Sequence, residues 1–589
     1  MNNQWDLTYL YASEDLFEKD LALIQSYPAK ILSFKNKLGD EKSFVESCLL
    51  ELEIEKVLGR AYQYASLRSD LNKKNVENNQ KVMECGMLFN AISEASSYQA
   101  PEILSLGEEK VMAFIDNHPE IEQFRFGFQK LFHESEHILE TKAEQLLSYF
   151  GPINGKGGDL YSMLCVADSD SKSCTLSDGK EVTVTQGNWT SLICDAKTEE
   201  DRKLIFETLY GFYDSHKNVL GEMYNTTLQT EFSYVKSRNY KSILEYHLFK
   251  NNIPTSVFEN LIKVAGSKNE SLKKYIKLRQ EYLGIKNYCT YDRFLELAKS
   301  NKKYSYDEAK ELFFASVKKF PQDFQDKAHE VLKDGFVDVF EQEGKRSGAY
   351  SSGEADLHPY ILLNYDNTLD SVFTVAHEAG HSIHSMYACE SQPTVLQGYT
   401  IFVAEIASTF NEHNLLDYII ESGNATKDEK IMLLQKAIDE ICSTFYRQTL
   451  FAEYEYQASK LVEQNQPLNH QVLSNIMIDL YKKYYGLDIT KEGLKQFVWA
   501  YIPHLFYTPF YVYQYATSFA ASFALYKNVK EQGLPAFERY TGLLKSGGSK
   551  YPVDQAKEAG VDFTDIKTFD AVVERMDELV NQLEKLLKE

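Results

Sequence analysis

A chain whose apolar residues recur on a helical period can bury them only by packing helix against helix. That period runs through most of these 589 residues, over roughly 12–150, 196–250, 255–285, 305–333, 371–388, 400–422, 427–465, 468–486, 511–532 and 567–588. Only 13 Pro and 29 Gly are available to break it. Strand signals are few. Cys174–Thr185 carries Asp178-Gly179 between two short extended runs, a hairpin pattern. Residues 346–366, with Gly-Ala-Tyr and Pro-Tyr-Ile-Leu-Leu-Asn-Tyr, read as strands just ahead of the helix at 371–388. The expected fold is therefore mainly α with a small β-sheet. The Gly- and Ser-rich stretch 151–195 marks a boundary between a helical domain at 1–190 and a larger domain at 191–589.

The charge balance narrows the partners. There are 63 Lys and Arg against 86 Asp and Glu, a net charge of −23. Nucleic-acid affinity comes from cations that neutralise phosphates. Neither a nucleic-acid partner nor an anionic membrane surface is expected, and the acidity serves solubility. The eight Cys, at 48, 85, 165, 174, 194, 289, 389 and 442, form no CxxC pair. They make neither a disulfide scaffold nor a Cys-type metal site. The first residues hold no basic segment leading into an apolar run. No stretch reaches the ~20 apolar residues of a membrane span. These features predict a cytoplasmic protein with no obligate protein partner. Gly151–Gly157 has a faint look of a phosphate loop, but it is one residue short between glycines and lacks Ser or Thr after Lys156. It is read as a loop.

Two segments match the pattern HExxH, His133–His137 and His377–His381. On a helix, two His four residues apart project from one face and can hold one zinc ion. The Glu between them can then deprotonate a water. The first copy is charged on all sides and has no Glu downstream to complete a ligand set, so it is expected on an exposed helix face. The second lies among apolar and small residues, with Asp370 as its expected N-cap. A buried His pair needs partners or a metal. Ala379 and Gly380 between the His are small, so another element can pack close beside them. Gly inside a helix costs ~1 kcal/mol relative to Ala, which points to a packing or functional reason.

The third ligand is expected on the next helix. Glu405, Ser408, Thr409 and Glu412 form one polar stripe on the largely apolar segment 400–416, and the stripe contains no Lys or Arg. Glu405 is the expected third metal ligand. Glu412, two turns on, is the expected hydrogen-bond partner of a ligand His.

Thr374–His384 and Phe402–Glu412 together resemble the M3 metallopeptidases, and within them the oligoendopeptidase F branch. Trp5–Tyr11, Lys345–Tyr350 and Phe510–Ala516 are similar to the same branch, so the resemblance touches the whole chain. It implies a gluzincin with zinc on His377, His381 and Glu405, and Glu378 as general base. It implies a two-lobed helical body with a deep channel that admits oligopeptides and excludes folded proteins. It assigns 1–190 to an N-terminal domain of oligoendopeptidase F type and 191–589 to the catalytic domain. In that family a His and Tyr residues from a segment such as 504–515 stabilise the oxyanion. His504 and Tyr513 match them, with Tyr507 and Tyr511 as further substrate-binding candidates. More distant relatives have Gly between the His and these Tyr. This chain has Phe506-Tyr-Thr-Pro-Phe510 instead, which predicts a stiffer loop. His384 also matches a family His and is read as core or support for the site. Pro359–Tyr365 is a strand that could pair with substrate backbone or equally be ordinary sheet.

The expected activity is thus internal cleavage of oligopeptides. The alternative on the same zinc chemistry is a carboxypeptidase or dipeptidyl carboxypeptidase, which would need a cation to anchor the substrate's terminal carboxylate.

Overall fold

The structure is a computed structural model and describes residues 3–300, 302–423 and 425–589. Helix makes up 71% of it, so any multidentate site has to be assembled from helix faces. The sheets are small. β1 (Lys172–Thr175) and β2 (Glu181–Val184) form an antiparallel hairpin around Asp178-Gly179, where Gly179 takes φ +84 as the turn requires. β3 (Val337–Asp338), β4 (Tyr350–Ser352) and β5 (Tyr360–Leu362) form a mixed sheet in the order β3-β5-β4. The strands expected in 346–366 are present, and β3 joins them from outside that window.

The chain forms two compact units. Unit 1 comprises Met1–Glu136, Lys302–Ser422 and Leu525–Val561. Unit 2 comprises His137–Asn301, Gly423–Ala524 and Asp562–Glu589. Each is discontinuous, so a compact unit is a different object from the sequence domains 1–190 and 191–589.

In unit 1 the long periodic stretch at the start is divided by capping residues. Helices α1 (Glu14–Leu32), α2 (Glu41–Leu71) and α3 (Val76–Ser96) are separated by turns. The side chains of Asp40 and Asn75 accept from Ser43 N and Asn78 N to start the second and third helices. Their apolar faces meet in one core that includes Phe17, Leu21, Ile24, Tyr27, Ala61 and Leu67, and it extends to Tyr360 and Leu362 of β5. Trp5 Nε1 donates to Ile361 O at 2.8 Å, which ties the first residues to the central strand.

A buried ion pair fixes the approach to β4. Lys345 Nζ lies 2.5 Å from Asp338 Oδ1, with the two side chains 0% and 1% exposed, and it also donates to Phe340 O at 2.7 Å. Removing one partner of such a pair leaves an uncompensated buried charge. Lys345→Met is therefore expected to destabilise unit 1 by about 3–5 kcal/mol, read as a lowered thermal midpoint. Adding Asp338→Asn should recover part of the loss. An unchanged midpoint for the single variant would refute this account.

Helix α4 (Leu369–Ser391) carries the second HExxH copy, and α5 (Ile401–Glu421) carries the polar stripe. The N-cap of α4 is Thr368 rather than Asp370: Ser371 N donates to Thr368 Oγ1 at 3.2 Å. Asp370 instead sits in the first turn, where its charge suits the helix N-terminus. Val372, Phe373, Val375, Ala376, Ala379 and Ile383 are all buried, so α4 is a core helix as its composition predicts. In unit 2 the expected helix 427–465 is one continuous rod with a defect. Lys427–Glu440 passes through a widened π turn, Ile441–Tyr446, into α6 (Arg447–Glu463). Helix α7 (Tyr513–Gln532) begins in unit 2.

Candidate metal centre

His377 and His381 project from one face of α4, one turn apart. Their Nε2 atoms are 3.2 Å apart. Glu405 Oε2 of α5 lies 3.4 Å from each. Donor atoms of the three residues all lie within 4.8 Å of one another, and among the described residues no other set of three His, Cys, Asp or Glu does so. The close approach of the helices depends on Gly380. A Cβ there would lie 2.6 Å from both Ala407 O and Ser408 Cα, inside α5's backbone. Two residues of the stripe brace the third ligand. Ser408 Oγ donates to Glu405 Oε2 at 2.9 Å, and Thr409 Oγ1 donates to Glu405 O at 2.6 Å.

Glu412 meets the ligand pair as its spacing predicts: its Oε1 lies 2.5 Å from His377 Nδ1. That contact occupies Nδ1 and leaves Nε2 to face Glu405. Glu378 is 6% exposed and its Oε2 has no hydrogen-bond partner. Burial raises the Glu378 carboxyl above its usual range, and the two imidazoles oppose that. Burial disfavours charge on His377, yet Glu412, Glu378 and Glu405 outweigh it and lift that imidazole to about 10. Burial likewise disfavours charge on Glu405, but His381 and His377 bring it down to about 2. The carboxylates thus draw a positive charge to the point where the three donor atoms converge. Two imidazoles and a carboxylate are also an ordinary zinc donor set, so the residues present fit a bound zinc ion.

His384 is buried. Its ring stacks on Tyr399 at 3.6 Å, and burial pushes its imidazole down to about 3. It is a buried, uncharged ring in this arrangement, and its Nδ1 has no hydrogen-bond partner.

The metal-ligating group opens on a cavity of about 600 Å³ within unit 1, lined by Glu55, Tyr350, Glu354, Glu378, Tyr399 and Glu405 among others. β4 runs along this cavity and is an edge strand. The expectation that Pro359–Tyr365 could pair with substrate needs correction here. β5 is the central strand, flanked by β3 and β4, so its backbone groups are already paired. The free edge that borders the cavity is that of β4.

The segment with the expected oxyanion residues lies in unit 2. His504–Tyr507 forms a single helical turn. His504 is half-buried, and burial lowers its imidazole. Tyr511 lies parallel to it at 6.0 Å. Tyr507 is 46% exposed and edge-on to Tyr161 at 5.6 Å. Tyr513 is buried edge-on against Phe258 at 5.4 Å, and burial raises its hydroxyl pKa. Phe510 adopts φ +54, a left-handed conformation unfavourable for a bulky residue. Its amide donates to Glu455 Oε1 at 2.8 Å, and its ring stacks with His247 at 5.2 Å. A side-chain contact from α6 thus pins the backbone at Phe510.

Glu455 is 1% exposed, and burial raises its carboxyl from 4.5 to about 8. The folded chain keeps a proton there that the unfolded chain releases above 4.5. Its contribution to stability is complete below that value and is lost as pH climbs to about 8. Glu455→Gln retains the acceptor for Phe510 N. It should raise the thermal midpoint at mildly alkaline pH and change it little near pH 4.5. Equal effects at both pH values would refute the assignment.

The His133–His137 copy is only partly helical. Its helix, Arg125–Ser135, ends before the second His. His133 Nδ1 lies 3.6 Å from Glu136, and His137 Nδ1 lies 2.8 Å from Arg238 O with its ring stacked on Tyr240 at 3.6 Å. Both His are half-buried rather than exposed, each with its own local partners. Gly151–Gly157 likewise spans a 3₁₀ turn and the start of a short helix, where Gly157 packs against Thr227 and Met223.

Comparison with known proteins places this geometry among relatives. The sequence model for peptidase family M3 matches residues 192–575, and that for oligopeptidase F matches residues 102–170. Oligopeptidase PepF of Bacillus subtilis is 34% identical over 590 residues, covering 99% of this chain and 87% of the relative. Group B oligopeptidase PepB of Streptococcus agalactiae is 32% identical over 587 residues, covering 99% and 97%. A crystal structure from Chlamydophila abortus superposes with a TM-score of 0.91 at 31% identity, covering 99% and 98%. That of oligoendopeptidase-F from Enterococcus faecium gives 0.75 at 27% identity, covering 98% and 99%.

Proposed function

The chain belongs to peptidase family M3, and from that premise we propose that it is a zinc-dependent endopeptidase that cuts internal bonds of short oligopeptides. The observation that carries this reading is the convergence of His377, His381 and Glu405 within 4.8 Å, beside the buried and unpartnered Oε2 of Glu378. Zinc held by those three residues would supply Lewis acidity and a water acidic enough to act as a nucleophile at neutral pH. Glu378 takes the proton from the attacking water and hands it to the leaving amine. Glu412 orients His377 through Nδ1. His504 and Tyr513 donate hydrogen bonds to the oxyanion, with Tyr507 and Tyr511 contacting substrate. Tyr511 lies alongside His504, so comparing kcat of Tyr511→Phe and Tyr513→Phe divides the oxyanion role between them. His384 supports the site from the core.

The matched segments 102–170 and 192–575 fall on either side of residue 190, which supports an N-terminal domain at 1–190 and a catalytic domain at 191–589. No described helix is long and apolar enough to cross a membrane, which accords with work on oligopeptides in the cytoplasm. Endopeptidase action is favoured over carboxypeptidase action by the cavity. Its described lining residues include no Lys or Arg to anchor a terminal carboxylate.

Metal analysis and two peptide substrates test the reading together. One zinc per chain is expected, with activity lost on chelation and restored by zinc. C-terminal amidation should leave cleavage unchanged. Purified protein that hydrolyses peptides equally well after chelation would refute the metal mechanism. A strict need for a free terminal carboxylate would refute the endopeptidase reading.

A further inference from the structure

The metal-bearing cavity has a second chemical character that the proposed reaction does not use. Of its lining residues, Glu55, Glu354, Glu378 and Glu405 are carboxylates, and none is Lys or Arg. Glu378 and Glu405 belong to the metal centre. Glu55, from α2, and Glu354, just beyond β4, do not. The Glu354 carboxylate lies over Gly59 of α2, one turn beyond Glu55, where a Cβ would come within 3.5 Å of Glu354 Oε2. Neither Glu55 nor Glu354 makes a side-chain hydrogen bond or ion pair among the described residues. The adjacent cation, Lys56, is engaged by Asp356 at 3.0 Å. Burial and the Glu55 charge push Glu354 up to about 7. Among the described residues no Lys or Arg pairs with either carboxylate.

Two carboxylates without a third donor do not make a metal site. They do make a receptor for an organic cation. The same cavity expects a ligand, because Glu378, 6% exposed, turns an unpartnered carboxylate oxygen into it. We propose that Glu55 and Glu354 form a cation-accepting subsite of the substrate cavity. Through it the enzyme selects oligopeptides that place an ammonium or guanidinium group a short distance from the scissile bond. That group is a Lys or Arg side chain or the peptide's own free α-amine. The inference rests on the peptidase reading and adds its substrate preference.

The test is a scan on the zinc-loaded full chain. A single Lys is moved through every position of an otherwise neutral, internally quenched peptide of fixed length, with and without N-terminal acetylation. A gain of about two- to fivefold in kcat/KM is expected when Lys occupies one or two adjacent positions, the size of a charge contact at a partly exposed site. If the α-amine is the occupant, the gain instead requires the unacetylated peptide. The gain should shrink in Glu55→Gln and Glu354→Gln and weaken with ionic strength in the parent. Glu354→Lys should turn the preference towards a Glu-scanned peptide. Equal kcat/KM at all positions together with no effect of acetylation overturns the proposal, as does a gain spread evenly along the peptide, which is the mark of bulk charge. So does a preference that survives both Gln variants. The scan on the parent needs no variant to fold. Hydrolysis blind to charge overturns this inference alone, whereas no hydrolysis of any peptide overturns the peptidase reading and this inference with it.

Discussion

Glu378→Gln is expected to bind zinc as the parent does and to lose peptide hydrolysis by about 10²–10⁴-fold, the usual weight of a positioned general base. The substitution keeps shape and volume. It leaves His377, His381 and Glu405 untouched, along with the Glu412 contact to His377 Nδ1. What it removes is the only change of protonation state that Glu378 can offer. Its Oε2 has no partner to lose, so the fold should not suffer. The loss should fall on kcat, with KM nearly unchanged, because a proton acceptor acts in the transition state. A variant that holds zinc and cleaves at the parental rate would remove Glu378 from the mechanism. A variant that loses zinc would show that its role is to support the ligands.

The second large effect is expected at a residue that touches no substrate. In Gly380→Ala the new methyl would sit 2.6 Å from Ala407 O and from Ser408 Cα. Both are backbone atoms of a buried helix, so no side chain can swing aside. Helix α5 has to move off α4, and it carries Glu405 with it. Overpacking of this kind costs about 1–3 kcal/mol, more than the ~1 kcal/mol of helix propensity that Ala contributes over Gly. Zinc affinity should fall about 10–100-fold, as it does when the support of a ligand is disturbed. Gly542→Ala is the matched control. That glycine is also helical, but a Cβ there meets nothing within 4 Å, so the change should be neutral or stabilising. Undiminished zinc affinity in Gly380→Ala would mean that the helix spacing is not what sets the ligand geometry.

The centre was legible in the sequence to the extent that helical periodicity places residues on a common face. His377 and His381 are one turn apart, and Glu405 and Glu412 lie on one stripe. A four-residue window therefore predicts which side chains converge. The same logic misleads at His133–His137, because periodicity does not show that the helix stops at Ser135. Thr368 displaces Asp370 as N-cap for a similarly local reason: Asp366 accepts from both Thr368 and Ser371 and sets the turn two residues earlier. Glu55 and Glu354 were beyond reach altogether. They come from a helix and a loop some three hundred residues apart, and each reads alone as an ordinary solvated acid. The order β3-β5-β4 was equally hidden, since strand order within a three-stranded sheet follows from long-range pairing. The lack of Gly in 504–515 could be read from the sequence. The carboxylate of α6 that accepts from Phe510 N could not.

The interleaving of the units bears on when during its life the chain can acquire activity. The two metal-bearing helices lie in the middle segment of unit 1, but their packing is finished by its last segment. Phe410 of α5 stacks on Tyr540 at 4.0 Å, Tyr526 donates to Asp417 at 3.0 Å, and Gly548 N donates to Leu396 O at 2.7 Å. A ribosome that has translated every ligand and Glu378 has still not produced the wall against which they are ordered. Domains that fold during synthesis do so as their own segments emerge, and here the closing segment, Leu525–Val561, follows the one that carries the ligands. The metal-bearing helices are therefore expected to reach their final packing only after Leu525–Val561 has emerged.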